Sequence, residues 1–176
     1  RVYDGTTNAS NSDLALSNLV GSETLTLSGT GTIASKNVSS NKTVTLNTLA
    51  IADGSNGGLA ANYTLSGGTH QLTVSHRPVN VSGTRLYNAL ATAVASDLST
   101  MTNLVGSETL TLSSNGTIAS KDVGSNKTVT IGSLSLGNGS NGGLAANYTL
   151  TGGTHRLTVN QSTFNATIPR HYDGTP

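Results

Sequence analysis

The chain has 176 residues, of which 34% are hydrophobic and 10% charged, and its formal net charge is +1. With no run of Lys or Arg, this composition argues against a nucleic-acid binder and against a basic membrane-surface helix. Cysteine is absent, which excludes disulfides and Cys-ligated metal sites, and no window approaches the roughly 20 apolar residues that span a bilayer. The hydrophobic share lies below the roughly 45–50% of typical globular domains, so any core must be thin.

Alternation of apolar and polar residues predicts short, half-buried strands along the first half of the chain. The predicted strands lie at 22–28, 31–35, 42–51, 61–66 and 69–75, with equivalents 85 residues later. In the third strand the apolar phase changes between Leu46 and Leu49, which predicts a β-bulge or a bend. Ser66-Gly67-Gly68 and its equivalent at 151–153 predict hairpin turns joining the last two strands of each copy.

These predicted strands belong to a sequence that repeats itself at an offset of 85 residues. NLVGSETLTLS occupies 18–28 and 103–113, and the glycine-rich phrase GSNGGLAANYTL occupies 54–65 and 139–150. In that phrase we expect Gly57-Gly58 to supply a turn, and Leu59, Tyr63 and Leu65 to face the core. A period near 85 is too long for solenoid repeats and is typical of a small β domain strung in tandem.

The predicted fold is therefore mainly β, with tandem small β domains that are β-grasp-like or sandwich-like. Repeat 1 spans 1–76, repeat 2 spans 77–160, and 161–176 is either the start of a third repeat or the closing strand of repeat 2. We expect at most one short helix in each domain. Leu90, Val94, Leu98 and Met101 fall at helical spacing in an Ala-rich run, which predicts a helix over 89–102.

The segments that follow each copy, 78–84 and 162–168, are also predicted strands. Val79 and Val81 share one face of the first segment, as Phe164, Ala166 and Ile168 do in the second. If this strand opens each domain, repeat 1 lacks its own; if it closes the preceding domain, both domains are whole. Because neighbours this similar can exchange elements, exchange of either strand between chains is an expected hazard.

The order of four landmarks carries a family resemblance: Arg1-Val-Tyr3-Asp4-Gly5-Thr6-Thr7, then LVGSETLTLS, then SKNVSSNKTVT and finally AANYTLSGG. This order resembles the YDG repeats of large bacterial surface and secreted adhesins, including haemagglutinin-like exoproteins of two-partner secretion. The resemblance covers the chain twice, with a third start at Tyr172-Asp173-Gly174. It implies mainly-β stalk or spacer modules without catalysis or cofactor, and structural roles for the motif residues, which include Tyr63, Tyr87 and Tyr148.

The pattern departs from the family at Tyr87-Asn88-Ala89, where Asp-Gly is missing, so we expect a different turn there. At Tyr3-Asp4-Gly5 we expect a buried tyrosine followed by an aspartate that caps the next turn.

No arrangement of the chain's four His and eight Asp and Glu predicts a catalytic or metal site. Asp53-Gly-Ser-Asn56 superficially matches the start of a calcium loop, but its copy at 138–141 lacks the carboxylate, so a turn is the favoured interpretation. Lys36 and Lys121 lie in polar turns and are expected to be solvated.

The predicted function is a structural spacer of an exported adhesin in cell adhesion or biofilm, located outside the cell, whose partners are the neighbouring repeats. The alternative is a module that binds glycan or matrix polysaccharide. Aromatic residues are only 3% of the chain and Trp is absent, so the usual stacking platforms for sugar rings are scarce. This scarcity favours the spacer.

Overall fold

The computed structural model of the protein describes residues 1–167, and it confirms a mainly-β fold. Ile168, Tyr172, Asp173 and Gly174 lie outside the described residues. The strands are β1 (Asn8–Ser10), β2 (Leu25–Ser28), β3 (Thr30–Ile33), β4 (Ser39–Thr45), β5 (Ala50–Asp53), β6 (Gln71–Val74), β7 (Arg77–Pro78), β8 (Asn80–Leu86), β9 (Thr92–Val94), β10 (Thr100–Thr102), β11 (Leu110–Ser113), β12 (Asn115–Ile118), β13 (Gly124–Thr130), β14 (Ser135–Asn138), β15 (Tyr148–Thr149) and β16 (His155–Asn160). Single 3₁₀ turns cover Asn11–Asp13, Ala60–Asn62, Ala95–Asp97 and Ala145–Asn147.

Contacts divide the chain into two compact units. The first unit contains 1–80, 101–112 and 135–153, and the second contains 81–100, 113–134 and the described residues from 154 onward. The boundaries of the tandem domains, at 76 and 160, stay predictions. Within residues 1–167, no helix has the length and apolarity that a membrane crossing would require.

The first unit holds a four-stranded sheet in the order β1-β3-β4-β6, all of whose pairs are antiparallel. Alternating residues of these strands, such as Ile33, Val44, Leu72 and Val74, are buried, as the period-two pattern requires. Two-stranded ribbons, β2-β5 and β11-β14, and a short parallel pair, β7-β15, complete the strand pairings.

The sheet of repeat 2 has the order β10-β8-β16-β13-β12-β9. Its strand β8 runs parallel to β16 in a continuous register from His155↔Val81 to Asn160↔Leu86. β8 thus pairs with β16, the last strand of the second sequence repeat. Gly83 is required here, since a Cβ at this position would lie 1.8 Å from the backbone oxygen of Asp97.

Repeat 1 has counterparts of β9, β12, β13 and β16 in β1, β3, β4 and β6. Arg1 and Val2 match Arg85 and Leu86, the last two residues of β8. Val2 forms a single parallel bridge with Ser75, which is equivalent to the Leu86↔Asn160 pair of repeat 2.

The helix predicted over 89–102 is wrong. This stretch forms β9, one 3₁₀ turn and β10, and Leu90 is 55% exposed although it belonged to the predicted apolar stripe. The β-branched Thr92, Val94, Thr100 and Thr102 suit strands, and β9 finds an antiparallel partner in β12. Pairing at the sheet edges therefore outweighs the helix preference of the alanines.

The continuous strand predicted over 42–51 is also wrong. The phase change at Leu46–Leu49 is a turn, closed by a 2.8 Å hydrogen bond from Leu49 N to Leu46 O, which separates β4 from β5. The register irregularity lies earlier, between Ser39 and Lys42, and again between Gly124 and Lys127.

The predicted hairpins are wrong as well. Gly67, at φ +80°, forms a turn, but the strand predicted at 61–66 is absent, and β15 pairs with β7 rather than with β16. Leu59 is 51% exposed and does not face the core, whereas Gly57, at φ +86°, does lie in a turn.

Candidate functional site: a buried tyrosine–glutamate cluster

The most developed polar site in the first unit gathers four side chains from both sequence repeats. We call Tyr3, Lys36, Glu108 and Tyr148 the joint cluster. The Tyr3 hydroxyl donates to Glu108 Oε1 at 2.8 Å, and the Tyr148 hydroxyl donates to Glu108 Oε2 at 2.6 Å. Lys36 Nζ completes the set at 3.0 Å from Glu108 Oε1. One carboxylate thus accepts hydrogen bonds from three donors.

The backbone positions each member of the joint cluster. Tyr3 N donates to Ser75 O at 2.9 Å, which fixes the tyrosine beside the end of β6. Glu108 closes a turn through a 3.0 Å bond from its N–H to Val105 O, and Tyr148 lies on β15. The two tyrosine rings meet edge to face, with centroids 5.4 Å apart at 78°.

Burial and hydrogen bonding act in opposite directions on Glu108, which is only 7% exposed. Burial raises the pKa of its carboxyl, but the hydrogen bonds from Tyr148, Lys36 and Tyr3 and the charge of Lys36 outweigh burial, so the pKa lies below its usual value. Glu108 is therefore a charged acceptor at neutral pH.

The same contacts hold the three donors in their protonated forms. Burial, together with the hydrogen bond to Glu108, raises the pKa of Tyr148 to about 12 and also raises that of Tyr3. The hydrogen bond to Glu108 raises the pKa of the Lys36 ammonium. Both tyrosines and the lysine are thus donors at neutral pH.

A second set of contacts surrounds the joint cluster. The side chain of Asn147, 1% exposed, accepts from Val38 N at 3.0 Å and donates to Asn37 Oδ1 at 3.0 Å. Arg77 Nε donates to Asn103 O at 2.7 Å, while its Nη2 reaches Asn103 Oδ1 at 2.8 Å. The amide of Asn147 thus connects repeat 2 with repeat 1, and the guanidinium of Arg77 connects the start of repeat 2 with Asn103.

The Tyr-Asp-Gly motif contributes all three of its residues to this region. Tyr3 is fully buried, and Asp4 Oδ1 accepts from Thr6 N at 2.9 Å and from Thr6 Oγ1 at 3.0 Å. Gly5 has φ +78°, and a Cβ there would lie 2.6 Å from Val105 Cγ1. The glycine thus allows both the turn and the close approach of Val105.

In repeat 2 the expected difference in this turn is not found. Asn88 Oδ1 accepts from Leu90 N at 3.1 Å, as Asp4 does from Thr6, and Ala89 keeps a positive φ of 63°. The turn survives because an asparagine side chain supplies the same acceptor as the aspartate.

The Tyr–Glu pair and the Tyr–Lys pair of the joint cluster each recur at the equivalent positions of the other repeat, there as separate pairs. Tyr63 and Glu23 are the counterparts of Tyr148 and Glu108, and the Tyr63 hydroxyl donates to Glu23 Oε2. Tyr87 and Lys121 are the counterparts of Tyr3 and Lys36, with Lys121 Nζ 2.9 Å from the Tyr87 hydroxyl and 5.4 Å from its ring centroid. Both lysines were expected to be solvated: Lys121 is exposed and the Lys36 side chain is 37% exposed, and each also contacts a tyrosine.

In the loop at Asp53 and Asn56, the polar side-chain atoms form hydrogen bonds with backbone groups. Asp53 Oδ1 accepts from Ala60 N at 2.7 Å, and Asn56 Nδ2 donates to Ser22 O at 3.0 Å. In repeat 2, Asn138 Oδ1 accepts from Ala145 N at 2.8 Å, so a neutral amide makes the hydrogen bond that the carboxylate of Asp53 makes in repeat 1. No group of three His, Cys, Asp or Glu able to hold a metal occurs within residues 1–167.

Sequence reasoning identified both tyrosines of the joint cluster but missed Glu108 and Lys36. A signal was present, because Glu23 and Glu108 occupy the same place in two identical segments of a chain that carries few charges. A glutamate that recurs among Ser, Thr and Leu residues is a candidate for an ion pair or a charged hydrogen bond.

Comparison with known proteins returns one family. The model of the YDG domain matches the chain over residues 1–71 and again over 68–156. Neither the curated proteins nor the solved structures contain a match to the chain.

Proposed function

Because the chain belongs to the YDG domain family, we propose that it is a load-bearing spacer segment of an exported bacterial adhesin, acting outside the cell. The sequence landmarks that resemble adhesin repeats support this assignment.

The observation that carries the proposal is the parallel pairing of β8 with β16. These are the first and last long strands of repeat 2, and they are paired at every position from His155↔Val81 to Asn160↔Leu86. When the start of β8 and the end of β16 are pulled apart, the force acts along these parallel strands and tends to slide one past the other. All the hydrogen bonds between the two strands then resist the force together. A force perpendicular to the strands would instead break these bonds one after another.

The joint cluster supports the same function, because it gives successive repeats a specific contact. Repeat 1 supplies Tyr3 and Lys36, and repeat 2 supplies Glu108 and Tyr148. Each repeat also carries the complementary half, as Glu23 with Tyr63 and as Tyr87 with Lys121 show. Such a contact can be repeated along an array.

Single-molecule force spectroscopy on the full chain, pulled from its two ends, tests the load-bearing role. We expect repeat 2 to rupture at a clearly higher force than repeat 1, whose terminal residues share only the Val2↔Ser75 bridge and its flanking hydrogen bonds. Equal and low rupture forces for the two repeats would contradict this role. Repeat 1 is the internal control.

A titration of the full chain with a glycan library and with bacterial exopolysaccharide tests the distinction from a binding module. The spacer function expects no saturable binding up to about 1 mM, where the binding free energy is only about −4 kcal/mol. Saturable binding at lower concentration would replace the spacer with the glycan-binding alternative.

A further inference from the structure

The joint cluster places two tyrosine rings beside each other in the first unit. The ring centroids of Tyr3 and Tyr148 are 5.4 Å apart, and the rings meet edge to face at 78°. Tyr3 is 0% and Tyr148 4% exposed, so solvent is kept away from both rings. Within residues 1–167 no other two tyrosine rings are in contact. In this part of the chain, the pair is therefore the place where two phenols can react with each other.

The hydroxyl groups of the pair point to the same carboxylate. Tyr3 donates to Glu108 Oε1 at 2.8 Å, and Tyr148 donates to Glu108 Oε2 at 2.6 Å. On each ring the Cε carbons lie next to the carbon that bears the hydroxyl. These carbons are also where an oxidised phenol carries much of its unpaired electron. The shared acceptor thus brings the reactive ends of both rings toward one point.

Glu108 also supplies a proton acceptor for oxidation. A phenol that has lost an electron is a strong acid, and it gives its proton to a base within hydrogen-bond reach. Burial raises the pKa of the Glu108 carboxyl, but the hydrogen bonds from Tyr148, Lys36 and Tyr3 lower it further, so the group is a carboxylate at neutral pH. Either tyrosine can therefore pass its electron to an oxidant and its proton to Glu108.

The composition of the chain directs oxidation to tyrosine. Trp and Cys, the other side chains that readily lose one electron, are absent, whereas there are five Tyr. Without Cys the chain also has no disulfide that could hold repeat 1 to repeat 2. A bond between two tyrosine rings is the oxidative cross-link that these residues allow.

We propose that Tyr3 and Tyr148 are a site of oxidative cross-linking, at which a bond between a Cε carbon of each ring joins repeat 1 covalently to repeat 2. The co-reactant is a one-electron oxidant, such as a peroxide-activated haem or a photo-excited ruthenium complex. The proposal goes beyond the spacer function and does not depend on it.

Two electrons and two protons leave the pair in this reaction. Each tyrosine gives one electron to the oxidant and its phenol proton to Glu108, which releases the first proton to solvent before it accepts the second. One ring rotates about its Cβ–Cγ bond, and the two phenoxyl radicals join through Cε. The hydrogen on each joined carbon leaves as a proton while a proton returns to each oxygen. With hydrogen peroxide as the final electron acceptor, one peroxide becomes two waters.

Lys36 acts on one ring of the pair. Its Nζ lies 5.7 Å from the ring centroid of Tyr3. A cation over a ring attracts the ring electrons and makes their removal harder. Lys36→Met should therefore ease oxidation of the pair, whereas loss of the Glu108 carboxylate should hinder it.

Photo-oxidation of the full chain with ruthenium tris-bipyridyl and persulfate, at high dilution, is the primary experiment. We expect the blue fluorescence of dityrosine and an intact mass lower by two hydrogen atoms. In denaturing electrophoresis the fluorescence should lie in the monomer band. Fluorescence confined to larger species would mean coupling between chains and would overturn the proposal.

Trypsin, which cuts after Lys and Arg but not before Pro, locates the cross-link. Each tyrosine within residues 1–167 lies in its own tryptic peptide: Tyr3 in 2–36, Tyr63 in 43–85, Tyr87 in 86–121 and Tyr148 in 128–156. We expect the peptides of Tyr3 and Tyr148 to be joined, with Tyr63 and Tyr87 as internal controls. Cross-links spread evenly over the four peptides would overturn the proposal, as would their absence.

Oxidation in concentrated urea separates a built site from random coupling. Unfolding removes the proximity of the two rings, so we expect the yield of the joined peptides to fall about tenfold or more. Equal yields from the folded and the unfolded chain would contradict the proposal.

Glu108→Gln and Lys36→Met form a matched pair of variants. Both break the ion pair of the joint cluster, so a loss of packing alone would lower both yields. Only Glu108→Gln removes the proton acceptor, and we expect it alone to lower the yield severalfold. Circular dichroism checks that both variants fold. Equal yields from the two variants would overturn the proton transfer to Glu108.

Force spectroscopy gives a readout that is independent of fluorescence. Tyr3 and Tyr148 are 145 residues apart in the sequence, and the chain between them cannot extend once the rings are joined. Pulled from its two ends, the oxidised chain should be shorter at full extension by roughly 500 Å, at about 3.5 Å per residue. An unchanged length would show that the bond does not join these two tyrosines.

Discussion

The twelve residues GSNGGLAANYTL at 54–65 and 139–150 are identical, yet they are packed differently. In the second copy Asn147, Tyr148 and Leu150 are 1%, 4% and 7% exposed. In the first copy Asn62 is exposed, and Tyr63 and Leu65 are only half-buried. The local backbone is the same, since the 3₁₀ turn recurs at Ala60–Asn62 and Ala145–Asn147. Burial is therefore decided by what packs against the segment.

In the second copy the partners come from repeat 1 and from β7. Asn147 bonds to Val38 and Asn37, Tyr148 meets the ring of Tyr3, and β15 pairs with β7. One sequence thus has a surface role in one copy and a core role in the other. Matched substitutions in the two copies measure this difference directly.

The largest difference is expected for the tyrosines. Tyr148→Ala should cost about 3 kcal/mol of unfolding free energy, because it empties a buried ring site and removes a donor to Glu108. Tyr63→Ala should cost much less, since its ring is partly solvated. Urea unfolding of the two variants measures the contrast, and equal losses would show that the neighbouring repeat adds nothing.

The glutamates should differ by a smaller amount. Glu108→Gln should destabilise the chain by about 2 kcal/mol, since it removes the charge from a buried carboxylate that accepts hydrogen bonds from Tyr3, Tyr148 and Lys36. Glu23→Gln removes only the charge of the group that accepts from Tyr63 and should have a far smaller effect. Urea midpoints at neutral pH compare them, and a larger loss for Glu23→Gln would contradict the comparison.

The asparagines give a further matched pair. Asn147→Ala breaks two hydrogen bonds of 3.0 Å and leaves Val38 N without its acceptor, which should cost about 1–2 kcal/mol. Asn62→Ala should produce no measurable change, because Asn62 is exposed. Thermal melting of both variants is sufficient, and a shift caused by Asn62→Ala would require contacts that the structure does not have.

The pH dependence should be the smallest effect. The pKa of Glu108 is lowered from 4.5 by folding, so its contribution is complete above that value and is lost as the pH falls through the folded pKa. The pKa of Tyr148 is raised from 10.0 to about 12, so its contribution is present below pH 10 and is lost between 10 and about 12.

Urea unfolding across this range compares the wild type with Glu108→Gln and Tyr148→Phe. The first variant should lose part of the acid dependence and the second part of the alkaline dependence. Profiles parallel to the wild type would show that these groups titrate alike in the folded and unfolded chain.

Much of the fold could be predicted from the sequence, because alternation of apolar residues reports which face of a strand is buried. It identified the strands around Leu27, Ile33, Val44 and Leu72. It failed at 89–102, where helical spacing competes with sheet edges that exist only after other strands have paired. It also placed β4 and β5 in one strand, since a turn and a bulge cause the same change of phase.

The joint cluster could be predicted only in part. Tyr3 and Tyr148 are motif landmarks, but they are 145 residues apart, and no local pattern pairs them with Glu108. Tyr63 has the same neighbours in sequence as Tyr148 and a different environment. Such partnerships depend on how successive repeats meet, which composition and periodicity do not encode.

The central claim, that repeat 1 and repeat 2 are joined by an energetically significant contact, is tested most directly by a double-mutant cycle between Lys36 and Glu108. The cycle compares urea unfolding of Lys36→Met, Glu108→Gln and the double variant with the wild type. We expect a coupling free energy of about 1 kcal/mol, because Lys36→Met leaves the buried carboxylate of Glu108 without its cation, whereas the Lys36 side chain is 37% exposed. Additivity within about 0.3 kcal/mol would contradict the claim.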